Sequence, residues 1–333
     1  MTIIDGLKIE ENFPAFISAI KVHLTIQDAI DFFQPRQAEL QALLLKHGAL
    51  VFRGFPVQKA ADFANFISAL KLGDFVNYIG GDSPRDKVES KVYTSTEAPP
   101  AFLIPLHQEL SFIKNFPKHI YFYCAQPPRA GGSTTIGDAR LMYRAIAPEV
   151  RARFETKQLL YTSNYYYQSA IMKLLNRFQR SHKSWREVFE TNDKQEVENK
   201  CVANEFEWRW HARDWLQIRQ QRPAVLKHPQ TQEDVWFNQA HLYDFNPKLL
   251  GWKNYLAAKL FYSRKTTLLH EISFADKTTV PRDDLYHILD VLKKNTVSFP
   301  WQQNDVMVLD NILTMHGRAP FIGPRRILAA MTS

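Results

Sequence analysis

Cysteine is nearly absent from this chain, with two residues, Cys124 and Cys201, among 333. That is too few for a disulfide framework, and their spacing is not that of a Cys-x-x-Cys metal or redox pair. The simplest expectation is two buried thiols in a reducing, cytoplasmic setting. Long apolar runs are missing too. No uninterrupted stretch approaches the ~20 residues of a membrane span, and Met1-Thr2-Ile3-Ile4-Asp5 has no basic segment followed by an apolar core, so neither membrane insertion nor export is expected. There is no Gly/Ser-rich block, no run of one charge sign and no internal period, which leaves no evident linker, charged tail or repeat array. At 45% hydrophobic the chain can bury a substantial core, and one domain over residues 1–333 with helical additions is the expectation.

The formal charge of +8 comes from 42 basic and 34 acidic residues spread along the chain. It favours an acidic partner, whether a nucleic acid, an anionic small molecule or an acidic protein, without choosing among them. The cluster Trp208-Arg209-Trp210-His211-Ala212-Arg213-Asp214-Trp215 mixes base-stacking and phosphate-binding residue types. Its alternation is that of a strand with one packed and one solvated face, so nucleic-acid contact is not expected.

Periodicity predicts a helix over Ile26–His47, interrupted at Pro35 and stopped at Gly48, then a buried strand Ala49–Arg53 and an amphipathic helix Gln58–Leu70. Ile120–Cys124 has strand composition, Gly131-Gly132 marks a tight turn into another strand, and Asp138 to Glu155 turns helical with a second start at Pro148. Residues 168–200 also read as helical, giving a helical insertion at about 139–200. Strands resume at Trp215–Gln220, Val225–His228 and Val235–Asn238, the last two as a hairpin about Pro229–Gln232. Helices follow at Leu249–Tyr262 and Arg282–Lys294, and the last strands are Val306–Asp310 and Arg326–Ala330. Short strands gathered round a core with helices interrupting them suit an α+β double-stranded β-helix, a distorted jelly roll.

Into this pattern falls His107-Gln108-Glu109, followed 209 residues after His107 by His316. Two imidazoles and a carboxylate make the 2-His-1-carboxylate set that leaves part of an Fe(II) coordination sphere open. On a strand, the period of two puts His107 and Glu109 on one face. The triplet alone is weak, because about one His-x-acid triplet is expected by chance at this composition. A hydrogen-bonded surface pair for His107 and Glu109, and a core or loop histidine for His316, are the plain structural alternatives.

The surroundings add specificity. Ile104-Pro105-Leu106-His107-Gln108-Glu109-Leu110-Ser111-Phe112, then Gly131-Gly132-Ser133-Thr134, then Leu309-Asp310-Asn311-x4-His316-Gly317-Arg318-x6-Arg325-Arg326 resemble, in order and spacing, the Fe(II)/2-oxoglutarate-dependent oxygenases of the taurine dioxygenase and clavaminate synthase type. The resemblance runs from about Gly48 to the C-terminus. It implies Fe(II) held by His107, Glu109 and His316, with 2-oxoglutarate as co-substrate, and a lid over the site in the helical insertion at about 139–200. Arg325 and Arg326 point to opposite faces of the last strand, so only one can enter the barrel. Alignment with the end of taurine dioxygenase selects Arg326, with Thr134, for the distal carboxylate of 2-oxoglutarate. Retention of the carboxylate argues for oxygen insertion over halogenation, since related halogenases replace that acid by a small residue.

Ala330 stands where taurine dioxygenase carries a second arginine, which argues against a small sulfonate substrate. Tyr93-Thr94-Ser95-Thr96-Glu97 and Val235-Trp236-Phe237-Asn238-Gln239-Ala240-His241 resemble more closely the oxygenases of natural-product assembly, of the syringomycin aspartyl hydroxylase type. Asn238 and His241 are candidates for the pocket rim. The resemblance implies a dioxygenase that hydroxylates, desaturates or epoxidises an amino-acid-like small molecule, free or tethered to an acidic carrier protein. A Zn(II) hydrolase on the same ligands, or a binding protein without catalysis, are the alternatives; neither explains the 2-oxoglutarate residues.

Overall fold

The computed structural model describes residues 2–4, 7–19, 25–76, 87–89, 92–95, 98–165, 184–244, 246–261 and 270–333. Helices and sheets are mixed along the whole of it. The helix expected over Ile26–His47 is two, Ile26–Phe33 and Gln37–His47, joined by a 3-10 turn at Gln34–Arg36 where Pro35 removes a backbone donor. Thr25 and Asp28 form a reciprocal capping box at its start. Gly48, at φ 69°, ends it with its N–H on the Leu44 carbonyl. The strand Ala49–Arg53 and the helix Ala60–Leu70 follow.

A nine-stranded sheet forms the backbone of the molecule. Its order is Thr2–Ile4, Leu7–Glu10, Ala15–Ala19, Ala49–Arg53, Val306–Asp310, His119–Gln126, Arg326–Thr332, Val92–Thr94, Lys87–Glu89. The central strands are apolar at nearly every position because both faces are covered. Leu50, Phe52, Tyr121, Tyr123, Val308 and Leu328 pack with Phe33 of the helix Ile26–Phe33 and Phe63 and Phe66 of the helix Ala60–Leu70. The alternate residues Ala49, Val51, Ile120, Phe122, Met307 and Ala329 face the other way, with Ile136, Phe299 and Trp301. Ile136 belongs to a three-stranded sheet of order Thr134–Asp138, Thr314–Arg318, Ile104–His107, so the two sheets meet across this second core.

Between Thr134–Asp138 and Val306 the chain builds a separate layer: the helices Ala139–Ala145, Pro148–Lys157, Trp185–Phe189 and Lys194–Ala203, and a four-stranded sheet of Glu207–His211, Trp215–Arg222, Leu159–Tyr165 and His270–Phe274. This corrects the helical insertion expected at 139–200. Leu159–Tyr165, rich in aromatic and hydroxyl side chains, pairs antiparallel with Trp215–Arg222 on one side and His270–Phe274 on the other, so distant partners make it a central strand. Residues 166–183, part of that expectation, lie outside the described residues. The Val225–Lys227 and Asp234–Trp236 hairpin and the helix Arg282–Lys294 stand as expected. The helix expected over Leu249–Tyr262 is split by Gly251 into Pro247–Leu250 and Trp252–Phe261. Cys124 and Cys201 are buried free thiols, and among the described residues no helix is long and apolar enough to cross a membrane.

Candidate metal centre

His107 ends the strand Ile104–His107 and pairs directly with His316 on Thr314–Arg318. A side chain at Gly317 would meet the Ile104 carbonyl at 2.4 Å, so glycine beside His316 lets the two strands close. Gln108, just past the end of that strand, donates to the Trp236 carbonyl at 2.6 Å, and Glu109 follows in the turn. One ligand atom from each of His107, Glu109 and His316 lies within 4.8 Å of the other two; among the described residues this is the one such group of metal-ligating types. His316 Nε2 is 3.5 Å from Glu109 Oε2, and the two imidazole rings are 4.5 Å apart.

The donor set suits a divalent ion. Cis ligands on an octahedral ion with bonds of about 2.1 Å lie about 3 Å apart, against 3.5 Å for His316 Nε2 to Glu109 Oε2 and at most 4.8 Å for the other pairs. A metal requires a neutral imidazole. Burial lowers the His107 pKa to about 3, and His316 alongside opposes a positive charge there more than Glu109 favours it. His107 Nδ1 lies 2.9 Å from the Pro105 carbonyl. A neutral ring bonded that way carries its proton on Nδ1 and turns the lone pair of Nε2 to the cluster.

The backbone under Glu109 is held by a residue to which the sequence assigned no role. Asn311, fully buried, accepts from the Glu109 N–H at 2.8 Å and donates to the Glu109 carbonyl at 2.9 Å and the Pro117 carbonyl at 2.8 Å. Asp310 fixes that loop in turn, accepting from the Ile312 and Leu313 N–H groups and pairing with buried His228 at 3.1 Å. His228 Nδ1 accepts from the Gln230 and Thr231 N–H groups, so Nε2 bears the proton given to Asp310.

Gln239 and His241 brace the ligand strand, while Asn238 does not reach it. His241 Nε2 donates to the Leu106 carbonyl and Gln239 to the Gln108 carbonyl. Those carbonyls are two residues apart on one strand edge, so side chains supply what a neighbouring strand would. Asn238 links the Ala224 carbonyl to the Ala240 N–H, holding the segment itself. The Trp208–Trp215 segment, singled out for its aromatic and basic residues, packs by Trp210 edge-on against Trp185, with the Trp210 N–H on Glu198.

The two arginines divide as the alternation rule requires, but the other way round. Ile327, Ala329 and Met331 face the second core, so Arg325 has the inward parity. Arg326 is exposed at the start of its strand, on the side of Tyr123 and the helices. Arg325 donates to the Gly132 carbonyl at 2.9 Å and to Ser95 Oγ at 3.3 Å. Gly132 has φ +68°, and a Cβ there would meet Pro128 Cγ at 2.6 Å, Phe321 Cβ at 2.8 Å and Arg325 Cδ at 3.2 Å, so glycine lets this turn close against Phe321 and the Arg325 stem. Thr134, two residues on, is buried with Oγ1 accepting from the Trp301 N–H at 3.2 Å, on the Ile136 face.

Arg318 is the neighbouring cation. It donates to the carbonyls of Ala98, Pro99 and Phe102, and both guanidinium groups lie against Phe321, at 5.2 and 5.6 Å. Burial first, and then Arg318, lower the Arg325 pKa to about 10. Among the described residues neither arginine forms an ion pair with a carboxylate, so this end of the core favours an anion.

Comparison with known proteins accords with this geometry. The profile of the family described as "Taurine catabolism dioxygenase TauD, TfdA family" matches residues 11–332. The Dapdiamide synthesis protein DdaC of Enterobacter agglomerans is 33% identical over 292 residues, spanning 88% of this chain and 84% of that one. A clavaminate synthase-like protein of Arabidopsis thaliana is 30% identical over 296 residues, covering 88% and 83%. A crystal structure of a putative alpha-ketoglutarate-dependent taurine dioxygenase from Burkholderia xenovorans shares the fold, with TM-score 0.55 at 14% identity over 98% of this chain and 92% of that one.

Proposed function

The chain belongs to the TauD/TfdA family of Fe(II)/2-oxoglutarate-dependent dioxygenases, and from that premise we propose that His107, Glu109 and His316 hold its iron, with Arg325 and Thr134 on the far carboxylate of 2-oxoglutarate. The observation that carries the reading is the close grouping of the three ligand atoms, with His107 held neutral. Arg325 takes the place expected of Arg326 because it alone has the inward parity and the contact with the Gly132 turn. Either register puts an alanine, Ala329 or Ala330, four residues on, so the argument against a small sulfonate stands. The facing three- and nine-stranded sheets support a distorted double-stranded β-helix. Strands from both ends of the chain share the larger sheet, which supports one domain, and the two buried thiols suit a reducing cytoplasm.

Bound iron with 2-oxoglutarate and dioxygen supplies the oxidation: the co-substrate leaves as succinate and CO2, one oxygen atom goes into succinate, and a C–H bond becomes C–OH. The residues of this chain do the positioning. His107 and His316 present ring nitrogens to the ion, Asn311 fixes the backbone that bears the Glu109 carboxylate, and Arg325 orients the co-substrate by its far end. We read the substrate as amino-acid-like and the pathway as natural-product assembly, supported by the likeness to a dapdiamide synthesis protein. Hydroxylation is the reading for the outcome, with delivery by an acidic carrier protein supported by the basic balance of the chain.

Anaerobic Fe(II) with 2-oxoglutarate should give a weak visible charge-transfer band, and turnover should yield succinate. A band that survives His316→Ala would overturn the ligand assignment. Succinate yield, corrected for uncoupled decarboxylation, should be greater with carrier-bound than with free aminoacyl groups. That advantage should shrink at high salt, because the encounter is electrostatic. Equal turnover of the free amino acid at every salt concentration would remove the carrier.

A further inference from the structure

His228 opens the turn of the Val225–Lys227 and Asp234–Trp236 hairpin. Its Nδ1 accepts from the Gln230 and Thr231 N–H groups, and its own N–H donates to the Glu233 carbonyl. Asp310 opens the loop that leads to His316, with Oδ1 accepting from the Ile312 and Leu313 N–H groups. Either pattern is met by an ordinary aspartate or asparagine, whose short side chain reaches the N–H groups just ahead of it. Each residue carries one more polar atom than its own turn uses. Those two atoms, His228 Nε2 and Asp310 Oδ2, meet at 3.1 Å, with His228 1% and Asp310 4% exposed. A histidine at the turn thus does what a shorter side chain there does not: it ties the hairpin to the loop beside the metal cluster.

What hangs on that tie is Glu109. Asn311, next to Asp310, holds both the Glu109 N–H and the Glu109 carbonyl. The other end of the same hairpin takes the residue before it: Trp236, paired with Val225, accepts from Gln108 Nε2 through its carbonyl. From the Val225–Trp236 pair to the level of His228 and Glu233 is three steps along the hairpin, about 10 Å. A two-stranded strut therefore grips the chain at two points, at Gln108 directly and at Glu109 through Asp310 and Asn311.

We propose that His228 is a positioning residue for the metal: its Nε2–H, acting through Asp310 and Asn311, sets where the Glu109 carboxylate stands relative to His107 and His316. This rests on the iron-site reading and deepens it, since it extends the control of metal affinity to a hairpin outside the ligand strands.

The two nitrogens of His228 can be replaced separately. An asparagine amide oxygen falls near Nδ1 and a glutamine amide nitrogen near Nε2. His228→Asn therefore keeps the turn acceptor and loses the donor to Asp310, and His228→Gln does the reverse. Co(II) titration of the metal-free protein, followed by visible absorption, should show roughly three- to tenfold weaker binding for His228→Asn, less than the 10–100-fold of a direct outer-shell partner. His228→Gln should recover most of that affinity, although it gives up the turn acceptor and should melt at a lower temperature. Amide hydrogen exchange without metal should follow the same order, the Glu109 N–H exchanging faster in His228→Asn than in His228→Gln. A role confined to folding gives the opposite order, with affinity tracking melting temperature. That order, or an affinity for His228→Asn within about twofold of wild type, overturns the proposal. If His228→Asn does not fold, Asp310→Asn tests the same tie: it keeps an acceptor for the loop, sets an amide N–H against that of His228, and should weaken Co(II) to the same extent. Wild-type protein that gives no Co(II) band removes the iron-site reading and the role of His228 with it, whereas a wild-type band with affinity unchanged in the variants removes the role of His228 alone.

Discussion

The two faces of the nine-stranded sheet are built from alternate residues of the same strands, yet they differ in what they tolerate. On the helix side, Phe33, Phe52, Phe55 and Phe66 meet ring against ring with centroids 5.1 to 5.9 Å apart, and burial of each such side chain contributes about 1.5–3 kcal/mol. That face is redundant, since many contacts share the load. The other face is a floor for chemistry. Phe122 lies under His316, and at its edges stand groups that apolar packing alone would reject: His107, Glu109, Arg318 and Arg325. One face supplies free energy that the other uses to hold polar groups in fixed places.

That division can be broken from either side. The largest effect expected is from His107→Ala: the charge-transfer band and succinate formation both disappear, while far-UV circular dichroism and the melting profile stay close to wild type. Phe66→Ala should do the converse. It should cost about 3–5 kcal/mol of stability in denaturant unfolding and leave the turnover per folded molecule nearly unchanged; a large fall in turnover number would show that the faces are coupled. Arg325→Ala should raise the apparent 2-oxoglutarate constant at least tenfold, as expected for loss of a charge-assisted partner worth about 2–5 kcal/mol, whereas Arg326→Ala should change it less than twofold. The reverse result would move the inward parity by one residue. Asn311→Asp keeps an acceptor for the Glu109 N–H but sets a carboxylate against two carbonyls. It should weaken Co(II) binding roughly 10–100-fold, read by visible absorption, and unchanged affinity would reduce Asn311 to a loop support.

The smallest effect concerns His241, whose burial lowers its pKa to about 4. The unfolded chain, with a histidine near 6.5, binds more protons between those values, so stability falls as pH drops below 6.5 toward 4. At pH 5 the penalty is on the order of 1–2 kcal/mol. His241→Gln, which can still donate to the Leu106 carbonyl, should flatten that slope in urea titrations at pH 7 and pH 5.

Much of this was legible because it rests on local pattern. Pro35, Gly48 and the apolar run Ala49–Phe52 punctuate the entry to the sheet as local rules require, whereas Glu109 lies in the turn just past the strand that ends at His107, not on the strand whose period was expected to pair the two. What was not legible depended on distant partners. Asn311 reaches Glu109 across 202 residues of sequence, and no periodicity marks such a bond. The Leu159–Tyr165 strand follows directly on the helix Pro148–Lys157 and exists because residues near 218 and 272 pair with it. The arginine pair shows the boundary most clearly. Alternation correctly allowed one of the two inside, but which one depends on register, and the pairing slips between Arg326 and Ile327, where Cys124 and Gln126 are matched and Ala125 is passed over.

The order of the sheet also has a consequence during synthesis. Val306–Asp310 fills the gap between Ala49–Arg53 and His119–Gln126, and Arg326–Thr332 covers the other edge of His119–Gln126. Strands near the start of the chain thus wait for partners made last. At roughly 5–20 residues per second a ribosome needs on the order of ten to forty seconds to travel from the first set to the second. Throughout that interval the nascent chain carries apolar strands with open edges, the template for association between neighbouring chains. Recombinant yield should therefore respond strongly to chaperone supply and to slower expression in the cold, and removal of the last few residues should trap the chain in that unfinished state.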